Sequence, residues 1–330
     1  MAELLKPLVN SKLQLNNRLV LPPMATAKCE DDGKVTQEIL DYYDEKSKGG
    51  YISLIIIEHS FIEKQGKAHK GQLSIANDNL IEDLKKLSNI IHKNGSKAIM
   101  QINHAGSLAK SSVTGCEIVG PSAIMHPRNS ELPKELTKED IKVIISNFRN
   151  AARRVKNAGF DGVEIHSAHG YLLNEFYSPI TNKRSYEYGG DIFGRIKLHL
   201  EIIRAIRDEV GKDFPILLRL GACDYTDGGN TIDDCKAAVV EFQKSGVDII
   251  DISGGLLGYI IPGVKTQGYF SNVTEEVKKN VSIPVILTGG ITDAEEAEKL
   301  LKSGKADLIG VGRAILKDSL WSKKAIESLK

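Results

Sequence analysis

One pattern recurs four times along the chain: a helical stretch ends at a glycine, and an apolar strand begins within a few residues. A glycine at this place can take the left-handed backbone conformation that closes a helix. The Val- and Ile-rich runs that follow are typical of strands buried on both faces of a parallel sheet. The four copies are KNGSKAIMQI, NAGFDGVEIH, KSGVDIIDIS and KSGKADLIGV, with glycines at Gly95, Gly159, Gly246 and Gly304. The chain is therefore built from repeated helix–strand units.

Further apolar runs at residues 19–21, 53–58, 216–220 and 284–287 bring the predicted number of strands to eight. Helical segments alternate with these strands. Eight alternations without a break in composition favour a closed (β/α)₈ barrel over an open, doubly wound sheet. Three helices are predicted to begin with a capping box, in which a threonine is followed by an acid three residues later: Thr137 with Asp140, Thr231 with Asp234, and Thr292 with Glu295. A single domain over residues 1–330 is expected.

The charge and cysteine content limit the class of partner. The 44 Lys and Arg residues against 43 Asp and Glu leave a formal charge of +1, so there is no basic field for nucleic acid. The 4 cysteines form no Cys-x-x-Cys pair, which fits a reducing, cytoplasmic setting. No apolar run is long enough to cross a bilayer, and the N-terminus has no signal-type apolar core. We expect a soluble protein that acts on a small molecule, with a homo-oligomer allowed.

Two predicted connections are long, at residues 106–136 after the third strand and 171–194 after the fourth. Both lie on the carboxyl side of a barrel, where such enzymes place their chemistry. Side chains just past the strand ends should therefore line one site. They include His59, Gln101, His166 and Arg219.

Glycine-rich turns follow the seventh and eighth strands, in LTGGI and IGVGR. Turns of this kind that open a helix bind phosphate through backbone N–H groups, and the loops after strands 7 and 8 of barrels often do so. Gly289, Gly290 and Gly312 would let the backbone approach, and Arg313 could add a charge-assisted pair. The other interpretation is that these glycines only serve tight turns. A phosphate could belong to flavin mononucleotide (FMN), a sugar phosphate or pyridoxal phosphate.

The stretch EIHSAHGYLL carries His166, His169 and Tyr171, and it admits three interpretations. The histidines could be zinc ligands, but they would need a further ligand, for which His59 and His104 are candidates, and two histidines on one turn are a weak metal signal. They could be core histidines that the backbone satisfies. They could instead hold a substrate oxygen with two imidazole N–H groups, while the Tyr171 hydroxyl supplies a proton.

Strand alternation places Glu164 on the same face of the fourth strand as His166, pointing into the barrel. An unpaired buried carboxylate costs several kcal/mol, so Glu164 is predicted to have a cationic or hydrogen-bonding partner, with Arg219 as a candidate. Arg219 could alternatively stabilise negative charge on a bound ring, as on a reduced flavin.

Several segments, in this order and spacing, resemble the Old Yellow Enzyme family of flavin-dependent ene-reductases. They are NNRLVLPPM, MQINHAG, VEIHSAHGYLLNEFYSPITNKRSYEYGG, LLRLGACDYT, LTGG and GVGR, and together they span essentially the whole chain. The resemblance implies an FMN-containing (β/α)₈ barrel that takes hydride from NADH or NADPH. It also implies transfer of that hydride from flavin N5 to the β-carbon of an α,β-unsaturated carbonyl compound.

The resemblance also implies roles for matching positions. His166 and His169 are expected to hold the substrate carbonyl oxygen, and Tyr171 to donate a proton to the α-carbon. The remaining matched positions are expected to bind the cofactor: Pro22, Pro23, Met24 and Ala25 under the flavin ring, Gln101 and Arg219 at its pyrimidine, and Gly289, Gly290, Gly312 and Arg313 at its phosphate and ribityl chain.

This sequence departs from the family pattern at three positions. Ala25 stands where relatives often have a Thr or Cys that tunes the flavin, and Ala27 where one bacterial branch has a substrate-binding Tyr. His59 stands near the flavin where a small residue is common, so it is expected to supply a donor or restrict the pocket.

The sequence ends about one helix after Arg313, without the iron–sulfur segment of larger relatives. A stand-alone barrel that receives electrons from a nicotinamide or a partner protein is therefore expected. The alternatives are another flavin-dependent oxidoreductase, acting for example on amines, and a flavin-free lyase or isomerase acting on a phosphorylated substrate.

Overall fold

The computed structural model describes residues 1–9 and 12–330, and its centre is a closed barrel of parallel strands. Each barrel strand pairs with the next one along the chain, and the last pairs with the first. The predicted single-domain (β/α)₈ barrel is confirmed. The strands are β1 (Leu19–Leu21), β2 (Leu54–Phe61), β3 (Lys97–Asn103), β4 (Gly162–Ser167), β5 (Ile216–Gly221), β6 (Ile249–Ser253), β7 (Val285–Leu287) and β8 (Leu308–Gly310).

One longer helix follows each strand. In the described part of the chain these helices are α1 (Gln37–Ser47), α2 (Ile81–Lys93), α3 (Lys138–Asn157), α4 (Lys197–Val210), α5 (Ile232–Lys244), α6 (Ser271–Asn280), α7 (Ala294–Lys302) and α8 (Trp321–Ser328). Shorter helical turns lie at Glu3–Leu5, Lys64–Gly66, Asp78–Leu80, Gly106–Leu108, Ser111–Thr114, Leu172–Tyr177, Ile192–Arg195 and Arg313–Lys317.

Local sequence signals explain where most of these helices begin and end. The capping boxes at Thr137 and Thr231 are present, each with the predicted aspartate as reciprocal partner. The box predicted at Thr292 is wrong, because α7 begins at Ala294 and has Asp293 as its N-cap. The side chain of Gln267 instead accepts hydrogen bonds from the backbone N–H groups of Thr292 and Asp293. The four predicted helix-closing glycines all have positive φ, between 71° and 110°.

The barrel interior is divided into an apolar layer and a polar layer. At the amino end, alternate strand residues such as Ile99, Leu217 and Ile249 form one buried cluster with the N-terminal segment. Two residues further along the same strands come Gln101, Arg219 and Asp251, all buried. Inward-facing positions on a strand are two residues apart. The barrel interior therefore changes from aliphatic to polar between one inward-facing position and the next. The polar layer lies directly below the carboxyl-end opening.

The long connections after β3 and β4 contain structure of their own. The first includes two short paired strands, Val119–Gly120 and Lys134–Glu135. The second begins with the helical segment Leu172–Tyr177. Within the described residues, no helix is long and apolar enough to cross a membrane.

Candidate active site

Three aromatic side chains from the end of β4 and the turn after it converge at the carboxyl end of the barrel. The ring centroids of His166 and His169 are 5.0 Å apart, and those of His166 and Tyr171 are also 5.0 Å apart. Both contacts are edge-to-face. His59, from the end of β2, stacks on the Tyr171 ring with a centroid distance of 5.3 Å. Residues from two separate strands thus form one cluster.

The turn after β4 explains how the two histidines and the tyrosine meet. His169 has φ of 62° and Gly170 has φ of 76°, so two successive residues are left-handed and the chain reverses. A side chain at Gly170 would come within 2.6 Å of His126 Nε2, so close packing requires a glycine there. Tyr171 then becomes the N-cap of the segment Leu172–Tyr177. The strained backbone of His169 is held by contacts with neighbouring loops.

Two neighbours hold His169 from different sides. Its Nε2 lies 2.7 Å from the Ser253 hydroxyl at the end of β6, and its backbone N–H donates to the Gly254 carbonyl at 3.1 Å. The Arg128 guanidinium, from the loop after β3, donates to the His169 carbonyl oxygen at 2.9 Å. The end of β6 and the loop after β3 therefore fix the position of His169.

Burial keeps the aromatic cluster electrically neutral. Desolvation lowers the pKa of both His166 and His169 well below the ordinary range, and the nearby Arg219 cation adds to the effect. Burial raises the pKa of Tyr171, although Arg128 opposes the shift. Near neutral pH the site thus presents neutral imidazoles, each with one N–H donor, and a phenol that keeps its proton.

Below the cluster, two pairs of polar side chains fill the barrel. The Gln101 amide donates to Glu164 Oε2 at 2.7 Å. Arg219 lies 3.3 Å from Asp251, measured from Nε to Oδ2. The predicted hydrogen-bonding partner of Glu164 is confirmed, but the ion pair of Arg219 is with Asp251. Strand register explains the choice, because Gln101 is directly opposite Glu164 and Arg219 is directly opposite Asp251.

These two buried acids resist ionisation. Burial raises the pKa of Glu164 well above its usual range, and the nearby Asp251 raises it further. Burial raises the pKa of Asp251 to about 6, against the opposing effect of Arg219. Several buried polar atoms of this layer have no hydrogen-bond partner among the described residues: Glu164 Oε1, His166 Nδ1, Arg219 Nε and both Asp251 carboxylate oxygens.

The predicted glycine turns lie next to the end of β1. A side chain at Gly312 would meet Met24 Sδ at 2.7 Å and Pro22 Cγ at 3.4 Å. Side chains at Gly289 or Gly290 would meet the Tyr269 ring at 2.9 Å. Arg313 Nη2 donates to the Tyr269 hydroxyl at 3.3 Å, so this tyrosine connects the two turns.

The idea that both turns directly open a helix needs correction. The short helix Arg313–Lys317 does follow Gly312, but α7 begins four residues after Gly290. The chain between Gly290 and α7 is held by Gln267 from the loop after β6.

The segment after β1 is held from below by a buried acid. The Thr26 backbone N–H donates to Glu58 Oε2 at 3.2 Å, and burial raises the pKa of Glu58 to about 7. Pro22 is buried, Pro23 and Met24 are half-buried, and Ala25 is exposed.

In residues 1–9 and 12–330, no group of three or more His, Cys, Asp and Glu side chains could hold a metal ion. A recess of about 680 Å³ lies at the opposite, amino end of the barrel. Its Asp161 is already bound by His92 at 2.6 Å and by Lys97 at 2.8 Å, so the polar groups there satisfy one another.

The sequence profile of the NADH:flavin oxidoreductase / NADH oxidase family matches residues 3–330. The chain belongs to this family. Among relatives, the NADH oxidase of Thermoanaerobacter brockii is 40% identical over 321 residues, which cover 96% of this chain and 49% of that protein. The NADPH dehydrogenase of Listeria monocytogenes is 39% identical over 316 residues, covering 96% of this chain and 91% of that protein. The chain thus spans about half the length of the first relative.

Two solved structures share the family's fold. A 2-naphthoyl-CoA reductase in complex with 2-naphthoyl-CoA aligns with a TM-score of 0.93 and 28% identity, over 99% of this chain and 52% of that one. An old yellow enzyme homologue from Zymomonas mobilis aligns with a TM-score of 0.85 and 24% identity, over 99% and 93% of the two chains. The resemblance to the Old Yellow Enzyme family is confirmed.

Sequence reasoning missed several residues that the fold brings to the site. Asp251 carries a detectable signal, because it lies two residues before Ser253 on β6 and shares its inward face. Arg128 and Tyr259 lie in loops without periodic pattern, although the Tyr259 ring is 6.1 Å from that of His169. Nothing in their local sequence indicated those positions.

Proposed function

We propose that this family member is an FMN-dependent NAD(P)H oxidoreductase that reduces the C=C bond of α,β-unsaturated carbonyl compounds. The observation that carries the proposal is the cluster of His166, His169 and Tyr171, with ring centroids 5.0 Å apart. Neutral imidazoles beside a protonated phenol suit a substrate that needs its carbonyl oxygen held and one carbon protonated.

The residues below the cluster fit a flavin ring. Glu164 Oε1, His166 Nδ1 and Asp251 Oδ1 are buried without hydrogen-bond partners among the described residues, so the layer is incomplete in polar contacts. Gln101 and Arg219 would hold the pyrimidine edge of the ring. The segment of Pro22, Pro23, Met24 and Ala25 would lie against its face.

The phosphate and ribityl chain would be held by the two glycine turns and Arg313. Gly289, Gly290 and Gly312 lie half-buried after the carboxyl ends of β7 and β8, where barrels often bind phosphate through backbone N–H groups. Arg313 is exposed beside Gly312 and could pair with the phosphate. A flavin held by these residues would supply the hydride chemistry, with NAD(P)H as the source of the hydride and the β-carbon of the alkene as its destination.

The chain's own residues complete the reaction. An N–H of His166 and one of His169 would donate to the carbonyl oxygen, which draws electron density from the C=C bond. Tyr171 would give its hydroxyl proton to the α-carbon and recover a proton from solvent. One hydride and one proton are thus added across the double bond, while NAD(P)H becomes NAD(P)⁺. The naphthoyl-CoA ligand of the similar structure also joins unsaturated carbons to a carbonyl group, which supports this substrate class.

The test is anaerobic spectroscopy of the protein reconstituted with FMN. We expect a flavin absorbance that NADH or NADPH bleaches and that 2-cyclohexen-1-one restores, whereas trimethylamine neither reduces nor reoxidises it. A protein that cannot bind FMN would contradict the proposal. Reduction by amines without reoxidation by enones would favour an amine oxidoreductase.

Tyr171→Phe tests the assignment of the acid. Loss of a positioned general acid lowers a rate by about 10² to 10⁴, so reoxidation by the enone should slow by at least ~100-fold. Reduction by NAD(P)H should stay within about twofold, because no proton from Tyr171 is used in that step. Unchanged reoxidation would remove Tyr171 as the proton donor.

A further inference from the structure

We propose that His59 is a positioning residue that holds the Tyr171 ring in place for proton donation. This inference rests on the proposed function, in which Tyr171 is the acid. His59 lies at the end of β2, and its ring faces the Tyr171 ring at 5.3 Å with an interplanar angle of 27°. The His166 ring meets Tyr171 edge-on at 80°. The phenol is therefore held between two imidazoles.

Ring packing has to orient Tyr171, because its hydroxyl has no hydrogen-bond partner among the described residues. Its ring packs against a small cluster of two alanines and one isoleucine, Ala105, Ala109 and Ile118. Small residues limit a ring less than a stacked ring does, since they contact less of its surface. The stacked imidazole of His59 is thus a main constraint on where the hydroxyl points.

The orientation of the His59 ring is fixed because two side-chain amides contact its Nδ1. Gln72 Nε2 lies 2.9 Å from this atom, and Asn103 Nδ2 lies 3.3 Å from it. The orientation of the Gln72 amide is determined by its other partners. Its Nε2 also donates to the His59 carbonyl oxygen at 3.0 Å, and its Oε1 accepts from the Ala68 N–H at 2.7 Å. Nδ1 must therefore accept, which puts the proton on Nε2.

The same environment keeps the His59 ring uncharged. Burial lowers the pKa of His59 to about 3, and the neighbouring His69 and Arg219 act in the same direction. No carboxylate pairs with the ring among the described residues, so one tautomer persists across the working pH range. The His59 imidazole has one tautomer and is held by two other elements. It is therefore a rigid surface on which the Tyr171 ring can stack.

The predicted consequence is specific to the proton-transfer step. Without the His59 ring, the phenol loses contact on one face and its hydroxyl samples positions away from the α-carbon. A misplacement of about 1 Å at a reacting group can cost roughly 100-fold in rate. We expect a milder loss, because His166 and the backbone at Tyr171 still restrain the ring.

A double-mutant cycle in the FMN-loaded, full-length protein tests the proposal. Stopped-flow spectroscopy would measure flavin reduction by NADPH and reoxidation by 2-cyclohexen-1-one in wild type, His59→Ala, Tyr171→Phe and the double variant. His59→Ala should slow reoxidation about tenfold and leave reduction within twofold. In the Tyr171→Phe background the same change should have no further effect on reoxidation.

Three further variants serve as controls. His59→Phe keeps a stacked ring and should recover most of the reoxidation rate. His59→Leu takes the place of His59→Ala in the cycle if the alanine variant does not fold. His92→Ala, in the recess at the amino end, should leave both steps unchanged. An additional solvent deuterium isotope effect on reoxidation in His59→Ala, absent in His92→Ala, would mark impaired proton transfer.

Three outcomes would overturn the proposal: an undiminished effect of His59→Ala in the Tyr171→Phe background, an equal fall in reduction by NADPH, or no effect on reoxidation. These outcomes are distinguishable from failure of the proposed function. If the proposed function itself were wrong, wild type would not reduce the enone, or Tyr171→Phe alone would leave reoxidation unchanged.

Discussion

His169 combines a strained backbone with a tightly held side chain. A left-handed φ of 62° in a residue other than glycine costs on the order of 1 kcal/mol or more. The contacts with Ser253, Gly254 and Arg128 offset that strain. The ring is therefore placed before any substrate arrives, which is what an oxygen-binding N–H group requires.

The charge of Asp251 is expected to influence the reduction potential of a bound flavin. Asp251→Asn removes a negative charge beside Arg219, so the electron-rich reduced flavin of the proposed function should be stabilised. We expect the two-electron potential of bound FMN at about pH 8 to rise by on the order of 30 mV, equivalent to roughly 1.4 kcal/mol. Equilibrium titration against a reference dye would measure it.

The pH dependence gives the control for this prediction. The pKa of Asp251 is raised to about 6, so the wild-type carboxyl is ionised above that pH and protonated below it. The difference between wild type and Asp251→Asn should therefore shrink towards about pH 5. Asp208→Asn, an exposed change on α4, should not shift the potential. A lower potential in Asp251→Asn would contradict the interpretation.

At the scale of elements, buried acids connect the loops that surround the site. Asp224, after β5, accepts hydrogen bonds from Ser178 Oγ at 2.7 Å and from the backbone N–H groups of Asn230 and Leu256, both at 2.8 Å. These donors come from three separate connections. Two of these connections also carry Tyr171 and Tyr259, so Asp224 joins loops that surround the site.

Glu175 connects the segment Leu172–Tyr177 to the turn after β3, and it makes stability depend on pH. Its Oε2 accepts from the Ser107 N–H at 2.9 Å, while Oε1 is buried without a partner among the described residues. Burial raises the pKa of Glu175 from 4.5 to about 8. The folded state then holds a proton that the unfolded state has lost, so the stability contribution is present below pH 4.5 and is lost as pH rises towards 8.

Glu175→Gln should remove this pH dependence. The variant should become more stable relative to wild type as pH rises. The difference between their free energies of unfolding should increase by at most about 1.4 kcal/mol per pH unit. Urea denaturation at a series of pH values would measure the difference. A constant difference across the range would mean that Glu175 is ionised in the folded protein.

At the scale of the whole molecule, a phosphate site on β7 and β8 would couple cofactor binding to barrel closure. Ligand at about 100 times its dissociation constant stabilises the folded state by about 2.7 kcal/mol. We therefore expect FMN to raise the melting temperature by several degrees, and riboflavin at equal concentration to raise it less. Arg313→Gln should reduce the difference between the melting temperatures measured with FMN and with riboflavin. Arg204→Gln on α4 should leave this difference unchanged. Equal shifts with riboflavin and FMN would contradict the phosphate assignment.

Much of the fold could be predicted from the sequence, because its signals are local. A helix-closing glycine such as Gly246 and the apolar run after it act within about ten residues. Four such units and four further apolar runs leave few ways to bury eight strands. The positions of His166 and Arg219 followed in the same way, since a parallel barrel brings all strand ends to one rim. Their roles stay predictions.

The side-chain pairings were decided only by the tertiary structure. Arg219 faces Asp251 rather than Glu164 because strand register puts those two directly opposite each other, and no local pattern encodes register in strands buried on both faces. The α7 start depends on Gln267 in a distant loop, which overrode the Thr292 signal. The stacking of His59 on Tyr171 likewise needs β2 and the turn after β4 to meet in space. Sequence periodicity reports on residues that are close along the chain, whereas these contacts join residues that are distant in the sequence.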